Sequence, residues 1–65
     1  MTFHIEFDRE DDGRWIADVP ELPGVLAYGS TQEEARAKAE ALTLSVLADQ
    51  IEESKKALTS AVTFG

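Results

Sequence analysis

The chain has 65 residues, with 6 Lys and Arg against 13 Asp and Glu, a net charge of −7, one histidine and no cysteine. Without cysteine there is no disulfide, no Cys-ligated zinc and no thiol nucleophile, and the negative charge opposes direct binding to phosphate backbones or anionic lipid. With 43% hydrophobic and 29% charged residues the composition is that of a folded domain, and the length allows one domain, residues 1–65, which must fold economically or share a core with a partner.

The first element is read from alternation. Between Thr2 and Asp8, Phe3, Ile5 and Phe7 fall on one side and His4, Glu6 and Asp8 on the other, the period of a half-buried strand. Glu10-Asp11-Asp12-Gly13 is a charged turn whose glycine can take positive φ, and it leads into a second strand from Arg14 to Val19. Pro20, Pro23 and Gly24 then interrupt strand pairing and bend the chain. A third strand is predicted from Val25 to Tyr28, stopping at Gly29.

Ser30 and Thr31 each have a glutamate three places on, Glu33 and Glu34, which is the capping-box spacing and predicts a helix start. The helix is expected to bury Ala35, Ala39, Leu42 and Val46, widened by Leu44, Leu47 and Ile51, with Glu33, Glu34, Lys38 and Glu40 on the polar side. About six turns bring it to an end near Ser54 to Lys56, where Lys55 and Lys56 suit the negative end of the dipole. The β-branched and aromatic segment Thr59 to Phe64 predicts a fourth strand.

The order β-β-β-α-β defines an α+β domain, a small mixed sheet with one long helix packed on one face. A helical return places the fourth strand parallel to the first. The other sheet face stays bare, and with the sheet edges it is a natural site for another subunit.

Motifs for chemistry are sparse. Asp8 to Gly13 follows the opening of a calcium-binding loop, but position twelve falls on Val19 where a bidentate carboxylate is required, and a strand follows instead of a helix. Glu6, Asp8 and a helix carboxylate could in principle hold magnesium in a nuclease, although the sequence does not by itself place them together. His4 has neither a cysteine nor a GxSxG elbow to work with, and Gly24 and Gly29 form no phosphate-binding fingerprint. Trp15 and Tyr28 lack the interleaved cations of a nucleic-acid stacking platform, which assigns them to core or protein interface. No catalytic residue, metal ligand or cofactor is therefore expected.

The succession Asp12-Gly13-Arg14-Trp15, Val19-Pro20-Glu21-Leu22-Pro23-Gly24 and Gly29-Ser30-Thr31-Gln32-Glu33-Glu34-Ala35 resembles the HicB-like antitoxin family over about residues 3 to 50. The resemblance implies a partial ribonuclease-H-like fold without catalysis, and a partner of HicA type, a small basic mRNA-cleaving toxin that the antitoxin masks. It gives structural roles to Gly13, Pro23, Gly24, Gly29, Thr31, Glu34, Ala35 and Ala39. Val25 stands where many relatives carry cysteine. Through Gly65 the sequence shows no helix-turn-helix or ribbon-helix-helix segment of the kind that binds promoters in fuller relatives, so direct nucleic-acid binding is not expected of it.

The expected activity is thus neutralisation of a basic toxin in the cytoplasm by a homodimer or higher homo-oligomer, through a surface formed by Asp8, Glu10, Asp11, Asp12, Trp15 and Tyr28. No basic segment followed by an apolar run opens the chain, and no stretch reaches the ~20 apolar residues of a membrane span. Two alternatives are an oligomeric regulatory or structural module without a toxin, and a metal-dependent ribonuclease-H-like nuclease.

Overall fold

In the computed structural model, which describes residues 2–54 and 62–65, the alternating N-terminal segment is divided between two strands. Strand β1 covers Thr2–Phe3 and β2 covers Glu6–Arg9. The single strand expected from Thr2 to Asp8 is interrupted because its partners change. The backbone N–H of His4 donates to a Glu21 carboxylate oxygen at 3.0 Å, a side-chain acceptor where a ladder would offer a carbonyl. The inward alternation survives the break: Phe3 is buried, and Ile5 and Phe7 pack against the core.

Strands β3, Trp15–Asp18, and β4, Leu26–Gly29, complete an antiparallel sheet in the order β2-β3-β4. The charged turn between β2 and β3 closes through Gly13 N–H to Glu10 C=O at 2.9 Å and Glu10 N–H to Arg14 C=O at 2.8 Å. Gly13 sits at φ 92°, the left-handed region that a turn glycine supplies without steric cost. The bend after β3 is pinned by Val19 N–H to Val25 C=O at 3.0 Å, and both valines are buried. Pro20 to Gly24 lie outside the ladder, as the two prolines require.

Helix α1 runs over Gln32–Ser54 and packs on β3 and β4. Thr31 is its N-cap: Thr31 Oγ1 accepts the Glu34 N–H at 3.1 Å, and the Glu34 carboxylate reaches back to the Ser30 N–H at 3.3 Å. The buried row is Ala35, Ala39, Thr43 and Leu47, a strict four-residue spacing. Leu42 and Leu44, expected inside, are 39% and 50% exposed. The two alanines set a close approach to the sheet and select the row that faces it. Helix length does the rest: 23 residues span roughly 35 Å, whereas four-residue strands cover about 13 Å, so the later turns extend past the sheet. The molecule measures 42 × 20 × 17 Å accordingly.

Strand β5, Thr63–Phe64, pairs parallel with β1, as the crossover requires, through Thr2 with Thr63 and Phe3 with Phe64. The Phe3 and Phe64 rings lie 6.1 Å apart at 36°, within the range of favourable aromatic pairs. Parallel and antiparallel pairing are thus both present, the parallel pair β1-β5 in one sheet and the antiparallel strands β2-β3-β4 in another, and the fold is α+β with the observed order β-β-β-β-α-β. The earlier part of the expected fourth strand, Thr59 to Ala61, and Lys55 and Lys56 lie outside the described residues.

Candidate protein interface

Strand register sorts the sheet residues onto two faces. Ala17 pairs with Phe7 and Ala27, and Trp15 with Arg9 and Gly29. This face meets the helix: Ala17 is fully buried, and Phe7, Trp15 and Ala27 pack on the core. The intervening residues point the other way. There Asp8, Ile16 and Tyr28 form one cross-strand row and Glu6, Asp18 and Leu26 the next. Leu26 and Tyr28 are 43% and 40% exposed. Glu6, Asp8, Ile16, Asp18 and Leu26 border a shallow groove of about 360 Å³.

The six residues assigned to a partner surface therefore separate. Asp8 and Tyr28 share the open face, one on each side of Ile16. Trp15 is on the helix side, half-buried, with the Arg9 guanidinium 5.1 Å from its ring centre. Glu10, Asp11 and Asp12 lie in the turn beyond the ladder. Asp12 is engaged within the chain, accepting from Arg14 N–H at 3.1 Å and Arg14 Nε at 2.8 Å. The hydrogen bond from the Arg14 backbone, helped by its guanidinium, holds the Asp12 carboxyl below the usual aspartate value. The same guanidinium lies 4.9 Å from the Tyr28 ring centre, an exposed cation–π contact that links the acidic turn to the open face.

Ile16, Asp18 and Leu26 belong to this face although sequence reasoning did not single them out. The signal was available in the period of two: residues on the opposite pleat from Trp15 and Ala17 are Ile16 and Asp18. Asp18 Oδ1 is buried and, among the described residues, lacks a hydrogen-bond partner.

Away from this face, His4 and Glu21 form a pair between segments 17 residues apart. The His4 Nδ1 meets Glu21 Oε2, and with the His4 N–H this bond holds the Glu21 carboxyl below the normal glutamate range. Among the described residues no group of three His, Cys, Asp or Glu side chains is arranged to hold a metal ion, and no helix is long and apolar enough to cross a membrane. A second groove, of about 400 Å³, runs between the bend and the helix past Leu22, Val25, Leu42 and Val46. Comparison of the chain with protein-family models, with curated proteins and with solved structures found no match. Fold and geometry together define a small α+β domain with one sheet face packed and the other open, acidic along its β2 edge, with Ile16 and Asp18 along its middle and Leu26 and Tyr28 along its β4 edge.

Proposed function

We propose that this chain is an antitoxin-like protein that acts in the cytoplasm by binding a small basic mRNA-cleaving protein of HicA type and covering its active site. The observation that carries the reading is the open sheet face, which presents exposed Leu26 and Tyr28 on one edge strand and the carboxylates of Glu6 and Asp8 on the other. Apolar surface beside negative charge suits a folded, basic protein partner, since charge steers encounter and apolar burial retains the complex. Occlusion of a nuclease by this means requires no catalytic group in the inhibitor.

Purification of the tagged chain from its native host at low salt, followed by an activity assay on what co-elutes, tests the proposal. A stoichiometric basic protein that cleaves RNA alone and stops when the purified chain is added back is the expected result. Recovery of the chain alone, or of a partner whose activity it leaves unchanged, sinks the proposal. RNA cleavage by the chain itself, dependent on magnesium and lost in Asp8→Asn, assigns a nuclease instead.

A second reading, an oligomeric module without a toxin, is favoured by the exposure of Leu42 and Leu44 on the helix. It shares with the first the expectation of a homodimer or larger assembly. Molar mass by light scattering across a dilution series measures this, and a monomer at every concentration removes the second reading.

A further inference from the structure

The three-stranded sheet has two outer edges, and they are built differently. Val19 N–H donates to Val25 C=O at 3.0 Å. Bonded and non-bonded pairs alternate along an antiparallel ladder, so Ala27 and Gly29 turn their backbone groups to β3 while the N–H and C=O of Leu26 and Tyr28 point outward. Among the described residues no strand lies beyond them. The same alternation, counted from Glu10 N–H to Arg14 C=O, turns Phe7 and Arg9 outward from β2. That edge is blunted: Asp8 Oδ1 already accepts the Arg9 N–H at 2.8 Å, and three of the four residues of β2 are charged. Strand β4 carries neither charge nor proline, two devices that guard an edge. Its Leu26 and Tyr28 are the exposed large apolar side chains of the sheet among the described residues.

We infer that β4 is the pairing edge for a second copy of this chain, whose β4 runs antiparallel to the first about a two-fold axis at Ala27, joining two three-stranded sheets into one of six. The register is self-complementary. The outward residues are two apart, so Leu26 lies opposite Tyr28 of the second copy and Tyr28 opposite its Leu26, and each such pair exchanges both backbone bonds. On the open face each exposed leucine then lies beside an exposed tyrosine, a favourable cross-strand pair. The axis falls on Ala27, whose small side chain suits the short Cα separation of a pair without backbone bonds. Charge selects both the edge and the occupant. Each copy carries −7, and joining through β2 would set Glu6 and Asp8 of one copy beside those of the other. Through β4 the two β2 strands stand five strand spacings apart, about 24 Å, beyond the ~8 Å screening length of physiological salt. A basic partner finds no carboxylate on β4 to draw it there, and the acidic margins stay free for it. The inference rests on the homodimer expected under both readings above, and not on the presence of a toxin.

Sedimentation equilibrium of the full chain across a dilution series reads the dimer constant. Leu26→Lys combined with Tyr28→Lys sets lysine opposite lysine in both pairs and is expected to weaken the dimer about tenfold. Leu26→Lys combined with Tyr28→Glu sets lysine opposite glutamate in the antiparallel register about Ala27, and is expected to return association to within about threefold of the parent. A parallel ladder would again oppose lysine to lysine and leave that variant as weak as the first. Hydrogen exchange of the unsubstituted chain is a readout independent of how the variants fold: the Leu26 and Tyr28 amides should slow as concentration rises, while the Phe7 amide at the β2 edge should not. A dimer indifferent to both variants, equal weakening by the two, or concentration-dependent protection at Phe7 overturns pairing through β4 and leaves the homodimer standing. A monomer at every concentration overturns both. Dimers that behave as expected, from a host that yields no ribonuclease partner, support the pairing and remove the antitoxin reading alone.

Discussion

A methyl group at Gly29 would stand 2.5 Å from the Ala35 nitrogen and 3.0 Å from its Cα. The end of β4 and the first turn of the helix are thus in backbone contact, and a Cβ can be accommodated only by parting them. Gly29→Ala is expected to lower stability by about 1–3 kcal/mol, measured by urea unfolding. Gly13→Ala meets no atom within 4 Å and carries only the penalty of its positive φ, about 1 kcal/mol. Equal losses at the two positions would refute the close approach at Gly29. The sequence marks Gly29 as the end of a strand, yet the reason for glycine there lies in a helix that folds back over it. Thr43 was illegible for a related reason. Hydropathy favours its neighbours Leu42 and Leu44, but the Thr43 hydroxyl donates to the Ala39 carbonyl at 2.9 Å and so enters the core already satisfied.

At the level of elements, the helix start was the most readable feature, because a cap is a local device whose donors and acceptors lie within four residues of one another. Glu34 is the centre of it. The Ser30 N–H and then Lys38 hold its carboxyl below the usual glutamate value. A carboxyl lowered in the folded state stabilises the protein above its unfolded value, and that contribution disappears as pH falls through the folded one. Melting temperatures measured from neutral pH down to about pH 3 should therefore drop less steeply on the acid side in Glu34→Gln than in the parent. Parallel acid limbs would show that the cap does not depend on the charge. The division of the first strand was unreadable for the opposite reason. Alternation specifies which side chains face inward, and Phe3, Ile5 and Phe7 do so, but it is silent on which strand each stretch pairs with. That choice depends on β5 and on Glu21, both distant in sequence.

For the whole molecule the decisive quantities are charge and its placement. Of the acids in the turn, Asp12 is already tied to Arg14, whereas the Glu10 and Asp11 carboxylates make no ion pair among the described residues and add to the long-range field. Reversal at Asp11 is expected to slow association with a basic partner about threefold at low salt and to flatten its salt dependence, while dissociation changes little. Stopped-flow measurements at two ionic strengths check this, and an unchanged rate removes the turn from the encounter surface. Asp12→Lys is a poorer probe, since it also releases Arg14 from the Tyr28 edge. The candidate surface was partly legible: its acids and Tyr28 were visible in composition and pattern. Trp15 lies on the opposite pleat from Asp8 and Tyr28, a placement the sequence does not show because an aromatic residue reads alike on either pleat until the helix covers one of them.

The pairing of β1 with β5 joins residues near the two ends of the chain, whereas the β2-β3-β4 sheet and its helix connect neighbours in sequence. Closing the longer loop has the larger entropic cost, and only two residues on each strand reward it. Folding consequently acquires an order, with hairpin and helix assembling first and the Phe3 and Phe64 rings latching afterwards. In the native protein the same latch should open before the rest, making the Gly65 amide exchange its hydrogen sooner than the amide of Ala17 at the sheet centre.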